Sequence, residues 1–418
     1  MTTFELLPEG ATPSLSDAEH FWWPASAGST PSVIADTDAW LRTIGEVPTA
    51  NVDLVRIAAA AYMADRRSGR GVTFSRTIYL HVQVIDSEGL RAVVDEIAGL
   101  LFWLTGDEWL LTLSNDGLPV PPVTRDAPAP VSAVALLSGG LDSFCGAVLA
   151  GPTDRLFLGH WDNPTIKGAQ NKVGAWLRDL YADDFAYEQV RLVQAGKTKD
   201  SSSRSRSFLF MTLASALAEA HSAGVVEIPE NGFTSLNPPL GPERGGALST
   251  RSTHPTTIVR FNALLDALHL SARLNDPYST MTKGQLVARA RDVGVGDFGA
   301  GAAGTLSCGK LDGRVYKGGN QNYHCGRCFP CIVRRGAIAA AEMQDDTVYL
   351  SETLTGEPLM KLRSNRANDV AAVSRAIELG FAEETLIAMG PFPLGYDLDA
   401  AMDLCLAGFG EMARVNLD

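Results

Sequence analysis

Apolar and polar positions alternate from Thr77 to Ile85, with Ile78, Leu80, Val82 and Val84 falling on one side, which predicts a half-buried strand. Asn51–Asp65 instead spaces Val52, Val55, Ile57, Ala58 and Tyr62 as a helix does. Ser87–Leu104 reads as an amphipathic helix ended by Thr105-Gly106, and Glu108–Ser114 as a second strand. Residues 1–114 are therefore expected to form a small α+β unit, in which Phe21-Trp22-Trp23-Pro24 serves packing rather than a ligand. Pro119, Pro121, Pro122, Pro128 and Pro130 exclude regular structure and mark 115–130 as a linker.

From Val131 the pattern changes. An apolar run, Val131–Leu137, reads as a buried strand. Strand and helix patterns then alternate through Arg155–Trp161, Thr165–Ala182, Phe185–Val193, Arg204–Ala223 and Val225–Ile228. Such alternation predicts an α/β fold with a doubly wound parallel sheet over 131–300. Ligands of these sheets bind at the carboxyl ends of the strands. The segments to watch are thus the turn after Leu137, His160-Trp161-Asp162-Asn163, Gln194–Arg206 and Glu230-Asn231-Gly232. Residues 301–345 carry a cysteine cluster, and Val333–Met343, Asn368–Leu379 and Leu398–Ala413 are amphipathic, so 346–418 is expected to be a helical extension.

Two patterns carry chemistry. Ser138-Gly139-Gly140-Leu141-Asp142-Ser143 lies between the apolar strand and a helix start. Paired glycines let a backbone approach an anion, and the helix N-terminus adds N–H donors and partial positive charge. The lysine of a Walker loop is absent. Asp142 falls in the first helical turn, where it either caps backbone donors or binds Mg2+ on a pyrophosphate. The second pattern is Cys308 with Cys325, Cys328 and Cys331, a C-x2-C-x2-C triplet and one outlying thiol. Four thiolates suit tetrahedral zinc in a structural role, and a disulfide pair or an iron–sulfur cluster are the other chemistries the set admits. His324 adjoins this set as a neighbour rather than a ligand, and Cys145 and Cys405 read as inert buried thiols.

S-G-G-x-D-S after a strand resembles the PP-loop of the N-type ATP pyrophosphatases. Thr305-Leu306-Ser307-Cys308, then Cys325-Gly326, Cys328, Cys331 and Arg334, together with Asp276-Pro277 and Met281-Thr282-Lys283-Gly284-Gln285-Leu286, resemble the QueC (7-cyano-7-deazaguanine synthase-like) branch over roughly 131–340. Gln285 departs from that pattern, the Cys308-to-Cys325 spacing is longer, and Arg251-Ser252-Thr253-His254-Pro255 stands where the family has Y-P-D-C-R. The extensions at both ends, with Asp53–Asp65, Glu230-Asn231-Gly232 and Asn237-Pro238-Pro239-Leu240, are similar to the QatC group, QueC-like components of an anti-phage system. The resemblance implies a PP-loop (HUP-like) sheet, ATP as cosubstrate, Mg2+, and structural Zn2+. It implies an ATP-dependent C–N ligase that adenylates the carboxylate of a 7-carboxy-7-deazaguanine-like molecule, which ammonia or a partner-protein amine then attacks. The expected ATP contacts are Ser138, Gly139, Gly140, Leu141, Asp142, Ser143, Arg204 and Arg206, with Asp142, Ser143 and Lys283 catalytic. Lys167, Lys197 and Lys199 are weaker phosphate candidates, and Glu230, Asn231 and Gly232 are expected to face the deazapurine. Other defence proteins and a second copy of the chain are the partners it implies. A PP-loop tRNA thiolase and a non-catalytic nucleotide sensor are the competing readings.

Composition narrows these little. A formal charge of −13 disfavours a nucleic-acid surface, and 418 residues allow two or three domains. No basic leader and no apolar run of membrane length is evident in the sequence, so a cytoplasmic protein is expected.

Overall fold

A computed structural model of the chain describes residues 2–23, 33–35, 37–70, 75–117, 128–194, 198–200, 204–241 and 251–417. Pro24, Pro119, Pro121, Pro122, Lys197 and residues 201–203 lie outside them. The architecture is mixed α/β with two sheets. The first contains β1 (Thr2–Pro8), β2 (Glu19–Trp23), β4 (Thr77–Gln83) and β5 (Glu108–Ser114) in the order β2-β1-β4-β5. All its pairings are parallel. The expected α+β unit is therefore corrected to an α/β one: helices Thr49–Arg67 and Val94–Thr105 act as crossovers, and parallel neighbours need such connections.

The second sheet runs β10-β9-β6-β7-β8-β3. Its members are β6 (Ala133–Leu136), β7 (Arg155–Trp161), β8 (Ala186–Gln194), β9 (Val225–Glu227), β10 (Arg273–Asn275) and β3 (Val33–Ala35). Five strands are parallel, and β3, supplied by the N-terminal segment, pairs antiparallel to β8 at one edge. β6 sits between β7 and β9, with Ala133 opposite both Arg155 and Val225. The chain leaves β6 toward β7 on one side and reaches β9 on the other. That reversal is the topological switch point at which doubly wound sheets open a crevice.

The layer between the sheets holds helices Thr49–Arg67 and Val94–Thr105 against Arg206–Ala220 and Pro255–Ala267. Every residue from Asn51 to Asp65 is buried, because this helix meets a sheet on one face and a helix on the other. Its polar residues accordingly find partners. Asn51 Nδ2 donates to Ser215 Oγ at 3.0 Å, and Asp53 accepts from the backbone N–H groups of Ile85 and Asp86 at 2.8 and 2.9 Å. One apolar core runs from Phe4 to Leu274 through this layer, so the N-terminal unit and the second sheet are not separately cored. Phe21 and Trp23 are buried in that core, with Phe21 stacked on Phe4 at 5.4 Å. The opposite face of the second sheet is covered by helices Leu141–Ala150, Pro164–Tyr181 and Lys283–Arg291. Helices Gly356–Asn365, Ala367–Leu379, Glu383–Met389 and Leu398–Met412 form the C-terminal part. Among the described residues no helix is long and apolar enough to cross a membrane.

Candidate functional site

β6 ends at the switch point, and the chain turns through Ser138-Gly139-Gly140 into the helix Leu141–Ala150. Gly139 has φ +85°, and a Cβ there would lie 3.0 Å from the Gln170 backbone nitrogen, so this turn excludes other side chains on two grounds. Gly140 is the N-cap and has no side chain to satisfy the first-turn N–H groups. The two serines brace the turn: Ser138 Oγ accepts from Gly140 N at 3.3 Å and lies 3.2 Å from Ser143 Oγ, which donates to Gly140 O at 3.1 Å.

A cavity of about 520 Å3 opens over this turn. Ser138, Gly140, Leu141, Asp142, Ser143, Arg206, Glu230 and Lys283 all line it, although they come from four separate stretches of chain. Lys283 Nζ pairs with Asp142 Oδ2, and Asn231 Nδ2 reaches Asp142 Oδ1 at 3.2 Å and Glu230 Oε1 at 3.1 Å. Burial opposes the charge on Lys283, but the Asp142 and Glu230 carboxylates outweigh it and hold the ammonium above its usual range. Burial and the nearby Asp142 charge push the Glu230 carboxyl well up, with Lys283 offsetting only part of the rise. Asp276, which accepts from Ser235 Oγ and Tyr278 N at 3.1 Å each, is raised by burial to about 7. Asp142, Glu230 and Lys283 line the cavity together, whereas Asp276 is not among its lining residues.

Arg206 reaches the cavity from the start of its helix and is held by His160, donating from Nη2 to the His160 carbonyl at 3.0 Å. Burial and the Arg206 charge push the His160 imidazole down to about 3, which keeps it neutral beside the guanidinium. Tyr62, from the buried helix, donates to Asp162 Oδ2 at 2.8 Å, and Arg66 donates to the same oxygen at 2.5 Å. The N-terminal unit therefore supports the residues at the end of β7.

The four cysteines converge. Their sulfurs lie within 4.8 Å of one another, all buried, with Cys308–Cys328 and Cys325–Cys331 each 3.9 Å apart. A bonded disulfide needs about 2.05 Å, whereas zinc with Zn–S bonds of about 2.3 Å sets tetrahedral sulfurs about 3.8 Å apart. The residues fit a structural metal such as zinc. Cys308 also lines the cavity with Leu306 and Ser307, and Leu306 N donates to Gly139 O at 2.8 Å. The four-cysteine unit is hydrogen-bonded directly to the glycine turn.

Other expected residues fall elsewhere. Arg204 does not reach the cavity: it donates to Thr105 O at 3.0 Å, and Arg70, Asp107 and Asp65 surround it in the interior. A long side chain near a strand end was drawn to the buried carboxylates of the N-terminal unit instead. Asn231 is fully buried and braces Asp142 rather than lining the wall, and Gly232 packs so tightly that a Cβ would meet Ser279 O at 1.9 Å. Lys167 Nζ lies over the Trp161 ring at 4.4 Å, and Lys199 is exposed. His324 is buried, burial pushes it down to about 3, and its Nε2 accepts from Ser307 N at 2.9 Å. Ser252 and Thr253 do line the cavity.

Two contributors, Gln170 and Glu411, were not foreseen, and a third, Arg334, was named only within the cysteine motif. Gln170 Nε2 donates to His160 O at 3.0 Å beneath the turn. Arg334, fully buried, donates to Thr305 Oγ1 at 2.7 Å, Ser307 Oγ at 3.3 Å and Ala302 O at 2.6 Å, clamping the segment before Cys308. Glu411 receives Gly284 N at the start of the helix that carries Lys283. Only Arg334, three residues after Cys331 in a cysteine motif, carried a signal in the sequence. No family model matches the chain, and a search of curated proteins found no match.

Proposed function

We propose that this protein is an ATP-dependent ligase of the QueC-like PP-loop type, which adenylates the carboxylate of a 7-deazaguanine-type acid and passes the acyl group to an amine. The observation that carries the reading is the braced glycine turn at the switch point, with the Asp142–Lys283 pair and Arg206 on the same cavity. Backbone N–H groups at the helix start would hold the β,γ-phosphates, and Lys283 and Arg206 would offset the charge that builds on the α-phosphate. Asp142 would hold Mg2+, which when bound would neutralise pyrophosphate charge. Zinc would be structural, forming the wall that Leu306 ties to the turn. The acceptor carboxylate oxygen attacks the α-phosphorus and pyrophosphate leaves. The amine nitrogen then attacks the acyl carbon, AMP leaves, and a proton is released.

The cysteines favour this over a thiolase. All six are described; four lie in one cluster, and Cys145 and Cys405 are buried, do not line the cavity, and have thiols pushed up by burial. A role in anti-phage defence, with a partner-protein amine as acceptor, belongs to the same proposal and rests on the resemblance to QatC. The test is incubation with labelled ATP, Mg2+, ammonia and 7-carboxy-7-deazaguanine. AMP and pyrophosphate that depend on the acid support the ligase, and ADP as the sole nucleotide product refutes it.

A further inference from the structure

The helix Lys283–Arg291 has no acidic residue in its first turn, and its capping box is neutral, built from Thr282 and Gln285. The negative charge at this N-terminus comes from 127 residues downstream of Gly284, on the last helix among the described residues. Glu411, on Leu398–Met412, accepts from Gly284 N at 3.1 Å through Oε1 and 3.0 Å through Oε2, and from the Thr282 hydroxyl. The two residues it grips flank Lys283, whose ammonium is itself paired to Asp142 on the glycine turn. Close approach is built in on both sides: a Cβ on Gly284 would lie 2.4 Å from Glu411 Oε1, and one on Gly336 would lie 2.5 Å from Glu411 O. A carboxylate on a helix N-terminus both satisfies orphan N–H groups and complements the dipole.

We infer that Glu411 is a positioning residue for Lys283, so that the C-terminal helix completes the phosphate site within one chain. The inference rests on the adenylation reading for its consequence, but the placement of Lys283 is open to a separate measurement. In full-length protein, competitive acetylation with acetic anhydride and peptide mapping reads the access of Lys283. Glu411→Gln keeps the shape and removes the charge. It is expected to raise Lys283 labelling at least fivefold while the exposed Lys310 and Lys317 are unchanged. Unchanged labelling of Lys283 overturns the inference whatever happens to ATP.

Calorimetric titration with Mg·ATP then tests the consequence. Glu411→Gln should weaken binding about tenfold in the wild-type background and less than twofold in a Lys283→Ala background, since a residue acting through Lys283 loses its effect when Lys283 is gone. An equal loss in both backgrounds refutes positioning in favour of a general packing role. Absence of Mg·ATP binding by the wild type counts against the adenylation reading, while the labelling result still decides the placement. Should Glu411→Gln fail to fold, Gly284→Ala displaces the same carboxylate and is read by the same two measurements.

Discussion

The two glycines of the turn separate folding from binding. At Gly139 the backbone is left-handed, φ +85°, which costs a residue with a Cβ about 1–2 kcal/mol. The Cβ would also press on the Gln170 backbone nitrogen at 3.0 Å, and the helix Pro164–Tyr181 must yield by a few tenths of an ångström. Gly139→Ala should therefore destabilise the protein by about 2 kcal/mol, within the ordinary range for a strained backbone position. Gly140 differs. Its φ is −83°, and its Cβ would meet only Ser138 Oγ at 3.4 Å and Leu306 O at 3.8 Å. A weaker N-cap and a less flexible unfolded chain then nearly cancel, and Gly140→Ala should change stability by less than about 1 kcal/mol. Both variants should lose acid-dependent AMP formation by about a hundredfold, Gly139→Ala by shifting the turn and Gly140→Ala by placing a methyl where phosphate must come. Urea unfolding and AMP release, measured on the same preparations, check this. Gly140→Ala with wild-type turnover would refute the phosphate-loop reasoning, and Gly139→Ala with wild-type stability would refute the backbone argument.

Metal analysis of protein purified without chelator should give about one zinc per chain. Cys328→Ser should yield insoluble or partly unfolded protein, since zinc binding contributes on the order of 10 kcal/mol to such units; stable metal-free protein would contradict it. Asp276 gives a pH signature. Its carboxyl is raised to about 7 by burial, so between pH 4 and 7 the folded state holds a proton that the unfolded state has lost, and stability falls as pH rises through that window. Comparing urea midpoints at pH 5 and pH 8, Asp276→Asn should gain on the wild type at the higher pH by roughly 2–3 kcal/mol, and an equal difference at both values would contradict the assignment.

What the sequence revealed was local. The glycine turn is six consecutive residues and three of the cysteines span seven, so spacing alone carried their geometry, and the alternation after Val131 carried the parallel sheet. The N-terminal unit misled because alternation reports which face of a strand is buried and not which way its neighbour runs. Four parallel strands therefore passed for α+β. Arg204 and Arg206 look alike in sequence, yet one side chain turns to the interior carboxylates and the other to the cavity. Glu411 and Gln170 were illegible for a plainer reason: their importance lies in contacts across long stretches of chain, and nothing near them in sequence marks the partner.

The helix Thr49–Arg67, buried along nearly its whole length, bears on how the chain can be divided. The proline-bearing stretch around 118–127 resembles a place to cut, and the part after it carries both the turn and the cysteines. A fragment starting there would bare the helix Arg206–Ala220, whose Phe208, Leu209, Met211 and Leu213 lie in the shared core. Such a fragment has good reason to aggregate. Supplied together, two halves divided at that stretch each carry one side of an apolar seam, which makes them candidates for reassembly from separate polypeptides, a split protein whose site forms only when both are present.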